Sequence, residues 1–321
     1  MSIAYYPGCS GQGTSLEYDR STRAVCAALG LSLRDVSDWS CCGSTPAHAV
    51  DHTLSTALSA RNIMQAKTDG AERITTPCPS CLANLKTARH RLRHANMRAA
   101  VREILDTDLP EHADDLPDVF SVLQLLVEDV GLAAIEKLVK RPLTGLKIAP
   151  YYGCLMSRPA GIMQFDDPEH PTAMDKVLEA LGMEVIDFSL KTECCGAAMG
   201  IPRREVTARL SGRILETARN YGADVIAVAC PLCHMNLDLR QGQAASALRT
   251  AFDLPVLYFT QLMGLAFCLP ESDLMLGKLC VSPAGLQDKL RESQAPRPAQ
   301  NGETKEKASA DAAKADGEEQ S

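Results

Sequence analysis

The chain has 321 residues, of which 45% are hydrophobic and 23% are charged, so it is long enough for two domains with hydrophobic cores. A net charge of −7 and a sequence pI of 5.6 argue against a nucleic-acid-binding protein, because such domains are usually basic. The longest apolar run, at 254–270, is shorter than the roughly 20 residues that cross a bilayer, so no membrane span is predicted.

Short β-branched runs alternate with helical patterns along the chain. A strand runs into Cys9, an amphipathic helix ends at Gly30, and a strand at 33–39, a helix around 53–68 and a strand into Cys78 follow. The second half has the same order, with a strand into Cys154, a helix to Gly182, a strand at 183–189, a helix around 204–221 and a strand into Cys230. This βαβα order predicts an α/β fold in which each half holds a small, mainly parallel sheet flanked by helices.

The chain is a tandem repeat of one unit. The matching segments are SIAYYPGC at 2–9 and KIAPYYGC at 147–154, SCCGSTP at 40–46 and ECCGAAM at 193–199, and ITTPCPSC at 74–81 and IAVACPLC at 226–233. We therefore expect two homologous domains, at 1–145 and 146–290. Residues 291–321 contain no Leu, Ile, Val, Met or aromatic residue, which predicts a disordered polar tail.

Ten of the thirteen cysteines follow one pattern. Successive intervals are 32, 1, 36 and 3 residues in the first unit and 40, 1, 35 and 3 in the second, and the two sets are Cys9, Cys41, Cys42, Cys78 and Cys81, and Cys154, Cys194, Cys195, Cys230 and Cys233. The other three, Cys26, Cys268 and Cys280, lie in apolar surroundings and are expected to be small core residues. The amino terminus lacks the basic and apolar regions of a secretory signal, so we expect a cytoplasmic location, where clustered thiols are typically metal ligands or redox groups.

Each unit has one thiol more than a zinc site or an ordinary cubane cluster requires. Adjacent cysteines cannot readily form a disulfide with each other, but their side chains can reach different metal atoms. The fifth thiol therefore indicates an iron–sulfur cluster other than a four-cysteine cubane, while structural zinc in one site and a thioredoxin-type CxxC remain alternatives. Gly43 and Gly196 supply backbone freedom after each CC pair, and Pro79 and Pro231 suit the first turn of a helix whose amino terminus favours thiolate charge.

Two further groups of residues are candidates for the site. His48 and His234 follow the cysteine motifs and are candidate proton donors for a leaving thiolate, or else ordinary turn and helix residues. Pairs of tyrosines precede the first cysteine of each set and either line a cleft or pack in the core; they are Tyr5, Tyr6, Tyr151 and Tyr152.

The repeated Cys…CCG…CPxC pattern, with PVLYFTQLMGLAF after its second copy, resembles the B subunit of heterodisulfide reductase, in the family named for its cysteine-rich CCG domains. The resemblance covers about residues 1–285. It implies that the ten patterned cysteines hold two non-cubane [4Fe-4S] clusters, in domains related by a pseudo-twofold axis with a disulfide substrate between them. It also implies two partners, a ferredoxin-like C subunit with cubane [4Fe-4S] clusters and a flavin-bearing A subunit.

On this basis we expect an oxidoreductase acting on sulfur groups. The predicted activity is reductive cleavage, or reverse formation, of a disulfide between two thiols, with a small or protein-bound persulfide as the other possible substrate. Cleavage takes two electrons and a cluster normally passes one, which suits a duplicated chain. The alternative is a non-catalytic electron-relay subunit of a dehydrogenase or sulfur-oxidation complex; relatives of that kind often carry a ferredoxin-like CxxCxxCxxxCP segment, which this sequence lacks.

Overall fold

The fold, described from a computed structural model for residues 3–44 and 46–294, contains two four-stranded parallel sheets. The first sheet has the order β2-β1-β3-β4 and the second the order β6-β5-β7-β8. The strands are β1 Ile3–Tyr5, β2 Arg34–Asp35, β3 Arg73–Thr76, β4 Asp118–Ser121, β5 Lys147–Tyr151, β6 Glu184–Val185, β7 Val225–Val228 and β8 Val256–Tyr258. The predicted α/β class with two parallel sheets is confirmed.

The register is the same in both sheets. Ile74 of β3 lies between Ala4 and Val119, while Ile226 of β7 lies between Ala149 and Val256. All four residues of β7, Val-Ile-Ala-Val, are buried, as is usual for an inner strand of a parallel sheet covered on both faces.

The helices of the first half are α1 Gly8–Gly11, α2 Leu16–Ala28, α3 Pro46–Val50, α4 His52–Thr68, α5 Pro79–Arg91, α6 Ala95–Leu105, α7 Val122–Gln124 and α8 Leu132–Leu138, with a 3-10 turn at Ala113–Asp115 and a π-helical segment at Leu125–Val130. Those of the second half are α9 Ala160–Met163, α10 Ala173–Ala180, α11 Arg204–Asn220, α12 Pro231–Leu237, α13 Gln241–Leu248, α14 Phe259–Ala266, α15 Glu271–Leu274 and α16 Ala284–Gln294, with 3-10 turns at Ala197–Met199 and Leu276–Lys278. Helix α4 packs on α5, and α11 packs on α13.

The two edge strands β2 and β6 are shorter than predicted. The sequence pattern indicates strands at 33–39 and 183–189, but only two residues pair in each. The last ladder contacts are those from the amides of Val36 and Ile186 to the carbonyls of Tyr5 and Ile148. Beyond them the chain leaves the sheet edge and turns towards the CC pair, so the β-branched pattern continues outside the ladder.

The two halves share one hydrophobic core. Helix α2 of the first half packs against α14 and α15 of the second, and α5 packs against α9. At the first contact the rings of Tyr18 and Tyr258 are stacked 4.0 Å apart, and the hydroxyls of Ser21 and Thr260 are 2.7 Å apart. At the other, the Lys86 ammonium donates to the Met163 carbonyl. The halves therefore form a continuous, interlocked structure.

Two of the three cysteines predicted to be core residues are exposed. Cys26 is buried inside α2, as expected. Cys268 and Cys280 are exposed, because both lie outside helices. Cys268 follows the end of α14 with a left-handed φ of +56°, and Cys280 lies in a loop where its amide donates to Asp238.

The last described helix, α16, continues to Gln294 and so enters the segment 291–321 that the sequence predicts as a disordered tail. Residues 295–321 of that segment lie outside the described residues.

Candidate metal centres

The first cysteine set lies where the parallel strands end. Cys9 is in α1 directly after β1, and the pair Cys41 and Cys42 occupies the loop after β2. Cys78 is the residue preceding α5, and Cys81 is in the first turn of that helix behind Pro79. The carboxyl ends of parallel strands share one edge of a sheet, so the fold brings these side chains together there.

The thiols of the first set contact one another. The sulfurs of Cys42 and Cys81 are 3.5 Å apart. Hydrogen bonds from the Cys41 and Cys81 thiols lower the pKa of Cys42 to about 3, and the hydrogen bond to Cys42 raises the pKa of Cys41 well above its usual range. Cys78 contacts Cys81, and Cys9 is close enough for its charge to act on Cys41. The structure therefore brings together all five predicted residues.

The second set repeats this arrangement. The sulfurs of Cys195 and Cys233 are 3.6 Å apart, and Cys233 also contacts Cys230. The hydrogen bond from the Cys154 thiol lowers the pKa of Cys194 to about 6, and the same hydrogen bond, together with burial, raises the pKa of Cys154 well above its usual range. Thiolates are soft ligands suited to iron–sulfur groups and zinc, and hydrogen bonds between thiols lower the pKa of Cys42 and Cys78 in the first set and of Cys194 and Cys195 in the second.

Glycines allow the thiols to approach the backbone. At Gly8 a Cβ atom would lie 3.0 Å from the sulfur of Cys81, and at Gly153 it would lie 2.9 Å from the sulfur of Cys233. A side chain at either position would thus fill the space beside the thiols. Gly43 and Gly196, which follow the CC pairs, both have a φ of +79°, a left-handed conformation that uses the backbone freedom expected at these glycines. Although the thiols of each set lie close to one another, no three Cys, His, Asp or Glu side chains among residues 3–44 and 46–294 converge on the position of a single metal ion.

Asn84 and Asn236 contact the sites and were not identified from the sequence. Asn236 is fully buried, and its amide nitrogen lies 3.4 Å from the sulfur of Cys195 and 3.2 Å from the carbonyl of the same residue. Asn84 makes the equivalent contacts with Cys42 at 3.6 and 3.5 Å. Each asparagine lies three residues after the second cysteine of a CPxC motif, so the extended motif CPxCxxN occurs twice and could have identified both asparagines from the sequence. An N–H donor at a thiolate stabilises its negative charge.

Equivalent hydroxyl groups hold each CC turn. Tyr6 donates to the carbonyl of Ser40, and Tyr151 donates to the carbonyl of Glu193, both at 2.6 Å and both to the residue before the pair. All four predicted tyrosines are buried, so they belong to the packed core; they are Tyr5, Tyr6, Tyr151 and Tyr152. The hydroxyls of Tyr6 and Tyr151 orient the backbone of the sites, whereas those of Tyr5 and Tyr152 donate to the carboxylates of Asp19 and Asp175.

The two candidate proton donors occupy different environments. His48 is exposed in α3 and lies next to His52, with ring centroids 5.2 Å apart. His234 is buried in α12, where its Nε2 atom is 3.0 Å from the carbonyl of Val256 and its ring stacks on Tyr258. Burial lowers the pKa of His234, which favours the neutral ring.

A tyrosine of the first half reaches the second site. The hydroxyl of Tyr18 donates to the carbonyl of Ala229, the residue before Cys230, at 3.2 Å. Burial raises the pKa of Tyr18, and the charges of Cys230 and Cys78 raise it further, so this side chain lies near both cysteine sets. The stack of Tyr18, Tyr258 and His234 therefore connects the two sites through the core.

Among the described helices, none has the length and apolar character needed to cross a membrane.

Comparison with known proteins finds one family profile that matches the chain twice, once in each half. The profile of the cysteine-rich domain family CCG matches residues 3–86 and 148–238. The chain is similar to the 8-methylmenaquinol:fumarate reductase membrane anchor subunit of Wolinella succinogenes, with 31% identity over 85% of this chain and 95% of the relative. It is also similar to a protein of Archaeoglobus profundus that is named for its likeness to the B subunit of heterodisulfide reductase, with 29% identity over 88% and 95%. The B subunit of the ferredoxin/F(420)H(2)-dependent CoB-CoM heterodisulfide reductase of Methanosarcina acetivorans is 28% identical over 85% and 91%.

One solved structure, a hypothetical protein from Helicobacter pylori, shares the fold with a TM-score of 0.67 and 12% sequence identity. The match covers 88% of this chain and spans about half, 52%, of that one. Because both copies of the cysteine motif match the family profile over more than half of the sequence, the chain belongs to the cysteine-rich CCG domain family, with relatives among the B subunits of heterodisulfide reductases.

Proposed function

We propose that the chain is the catalytic subunit of a heterodisulfide reductase-type complex, and that its ten patterned cysteines bind two non-cubane [4Fe-4S] clusters. The observation that carries this proposal is the occurrence of two matching five-thiol sites in one core. Similarity to several heterodisulfide reductase B subunits over most of the chain supports it. The proposed reaction converts a disulfide, two electrons and two protons into two thiols, or runs in reverse.

The residues present fit iron–sulfur ligation. Each site offers five thiols at the end of a sheet, two of them around the amino terminus of a helix, where the helix dipole favours negative charge. Amide donors, the half-buried Asn84 and the buried Asn236, point at the sulfurs of Cys42 and Cys195. Hydrogen bonds to cluster sulfurs and low solvent exposure are the means by which proteins set cluster potentials.

When bound, each cluster would store one electron and offer iron to a substrate sulfur. The chain's own contribution is to hold the two cluster sites at a fixed distance and orientation. Tyr18 links the backbone before Cys230 to the first half, and the shared core prevents the sites from moving apart. The exposed members of the sets, Cys9, Cys41 and Cys194, mark the sides from which solvent and substrate have access.

A second function is favoured by one specific observation. The Wolinella relative, similar over nearly its whole length, is named as a subunit of a fumarate reductase, whose named reaction involves no disulfide. This favours an electron-relay role for the same two sites. Under either function we propose partner subunits, a ferredoxin-like C subunit and a flavin-bearing A subunit for the reductase, and a cytoplasmic location.

Electron paramagnetic resonance on oxidised, cluster-loaded protein separates the two functions. A disulfide reductase binds a thiol at the oxidised site, so adding a thiol should change the signal, whereas the signal of a relay subunit should not respond. The Cys195→Ser variant should remove the thiol-dependent signal and the turnover of a test disulfide. Cys26→Ser, a buried cysteine outside both sets, is the matched control. A thiol response that survives in Cys195→Ser would contradict the assignment of the CC pair.

A further inference from the structure

A cavity separate from both cysteine sets lies beside the carboxyl end of helix α14. The helix begins at Phe259, directly after β8, and its eight residues carry the chain about 12 Å away from the strand ends where the cysteines lie. At its far end the carbonyl of Ala266 accepts hydrogen bonds from the amides of Lys140 and Arg141, which precede strand β5. The cavity, with a volume of about 310 Å³, therefore lies near the opposite edge of the second sheet.

The wall of this cavity is apolar and its opening is charged. The wall consists of four leucines, of which two are buried and two are half-buried; they are Leu274 and Leu276, and Leu265 and Leu269. The other lining residues are the half-buried Arg141 and three exposed residues, Cys268, Glu271 and Arg291. Small-molecule sites in proteins commonly combine an apolar lining with a few polar groups that fix the orientation of the ligand.

Arg141 is the lining residue that most needs a partner. Its Nε atom is buried and, within the described part of the chain, has no hydrogen-bond partner. Buried N–H groups of charged side chains are normally paired, and a guanidinium binds a carboxylate through two parallel hydrogen bonds. The second guanidinium, that of Arg291, is 3.3 Å from the carboxylate of Asp288, but both side chains are largely exposed, so this surface pair competes weakly with a ligand.

The carboxylate of Glu271 also lines the cavity but does not need a ligand. Glu271 is exposed and is the first residue of α15, where water and the amino terminus of the helix both stabilise negative charge. Against this carboxylate the lining has the two guanidiniums of Arg141 and Arg291. A negatively charged ligand with an apolar body therefore fits the cavity better than a positively charged one.

We propose that this cavity binds a medium-chain monocarboxylate, with its carboxylate at Arg141 and its hydrocarbon chain against the four leucines. At roughly 30 Å³ for each group of the size of a water molecule, the cavity holds about ten such groups, which matches the non-hydrogen atoms of octanoate. The site lies apart from both cysteine sets, so the proposal goes beyond the proposed function and is tested independently of it.

Isothermal titration calorimetry of the full chain, loaded with both clusters, measures the binding of octanoate, hexanoate, octan-1-ol and octylammonium. Octanoate should bind roughly tenfold more tightly than hexanoate, because two more methylene groups are buried. It should also bind about tenfold more tightly than octan-1-ol, because the alcohol lacks the charge that pairs with Arg141. Equal affinities for octanoate and octylammonium would overturn the proposal, as would the absence of octanoate binding.

Two arginine variants test the anchoring group. Arg141→Gln should weaken octanoate binding about tenfold and leave octan-1-ol binding unchanged, because it removes the charge that the alcohol does not use. Arg209→Gln, which changes an exposed arginine of α11 outside the cavity, is the matched control and should leave both affinities unchanged. Equal losses in the two variants, or no loss in Arg141→Gln, would contradict the role of Arg141.

Cys268 allows a second measurement that needs no variant. Its thiol is exposed and lines the cavity, whereas Cys280 is exposed outside it. Saturating octanoate should slow the reaction of Cys268 with iodoacetamide severalfold and leave the reaction of Cys280 unchanged, as measured by mass spectrometry. Equal rates at Cys268 with and without octanoate would overturn the proposal. Full protection of Cys268 before octanoate is added would also overturn it, because another group would then fill the cavity.

Discussion

Replacement of Asn236 by alanine is expected to lower the reduction potential of the second site. The Asn236 amide lies 3.4 Å from the sulfur of Cys195 and is fully buried, so water cannot replace it readily. An N–H donor at sulfur stabilises the reduced, more negative state more than the oxidised state. If the difference is about 1 kcal/mol, as for a typical hydrogen bond, the one-electron potential falls by about 40 mV.

A control variant at the same turn distinguishes an effect on the reduction potential from an effect on stability. Ser211 donates to the carbonyl of Cys195 at 3.1 Å rather than to its sulfur, and Asn236 donates to the same carbonyl. Each alanine variant leaves that carbonyl one donor, so both should lower the free energy of unfolding by about 1 kcal/mol. Only Asn236→Ala should shift the potential.

Redox titration monitored by electron paramagnetic resonance measures the shift in loaded protein. Asn84→Ala, where the contact is 3.6 Å and the residue is half-buried, should shift the first site in the same direction by a smaller amount. An upward shift in Asn236→Ala, or an equal shift in Ser211→Ala, would refute the reasoning.

Three further changes have defined outcomes. Gly196→Ala should destabilise the protein more than Gly222→Ala. Both glycines have a φ of +79°, so either alanine incurs roughly 1–2 kcal/mol of backbone strain, but only at Gly196 would the new Cβ atom meet neighbouring backbone, at 3.0 Å. Denaturant unfolding of the two variants measures the difference, and equal losses in the free energy of unfolding would contradict the prediction. Tyr18→Phe should lower the free energy of unfolding by about 1 kcal/mol, because the hydrogen bond to Ala229 is lost. Tyr18→Leu should lower it by about a further 0.5–1.5 kcal/mol, because the ring stack on Tyr258 is lost as well. Equal unfolding midpoints for the two variants would refute the role of the stack. Burial raises the pKa of Cys26 to about 12, so the folded protein keeps this thiol protonated at pH 8, and mass spectrometry after iodoacetamide treatment should find Cys268 modified and Cys26 unmodified until the protein unfolds.

The positions of the cysteines could be predicted because the chain contains its pattern twice. Parallel strands in βαβα order place their carboxyl ends at one edge, so Cys9 and Cys78 had to approach each other once the strands were identified. The helix starts at Pro79 and Pro231 followed from the chemistry of proline. Sequence patterns that mark the ends of strands and helices were therefore enough to predict the positions of these site residues.

Contacts between the halves could not be predicted in this way. The stack of Tyr18 on Tyr258 joins residues far apart in sequence and depends on how the two sheets are packed. The exposure of Cys268 and Cys280 also depends on where the chain leaves its helices, which apolar composition does not determine. Asn84 and Asn236 could have been identified from the sequence, because the repeated motif extends to CPxCxxN. Asparagine on its own, however, is not a residue type that indicates a cluster site.

The central claim is that each five-thiol set holds its own iron–sulfur cluster. Iron and acid-labile sulfide analysis of anaerobically purified protein tests it most directly: we predict about eight irons per chain in the wild type and about four in a Cys230→Ser, Cys233→Ser double variant, with the signal of the first site retained. Zinc in place of iron, or an iron content that the double variant does not change, would contradict it.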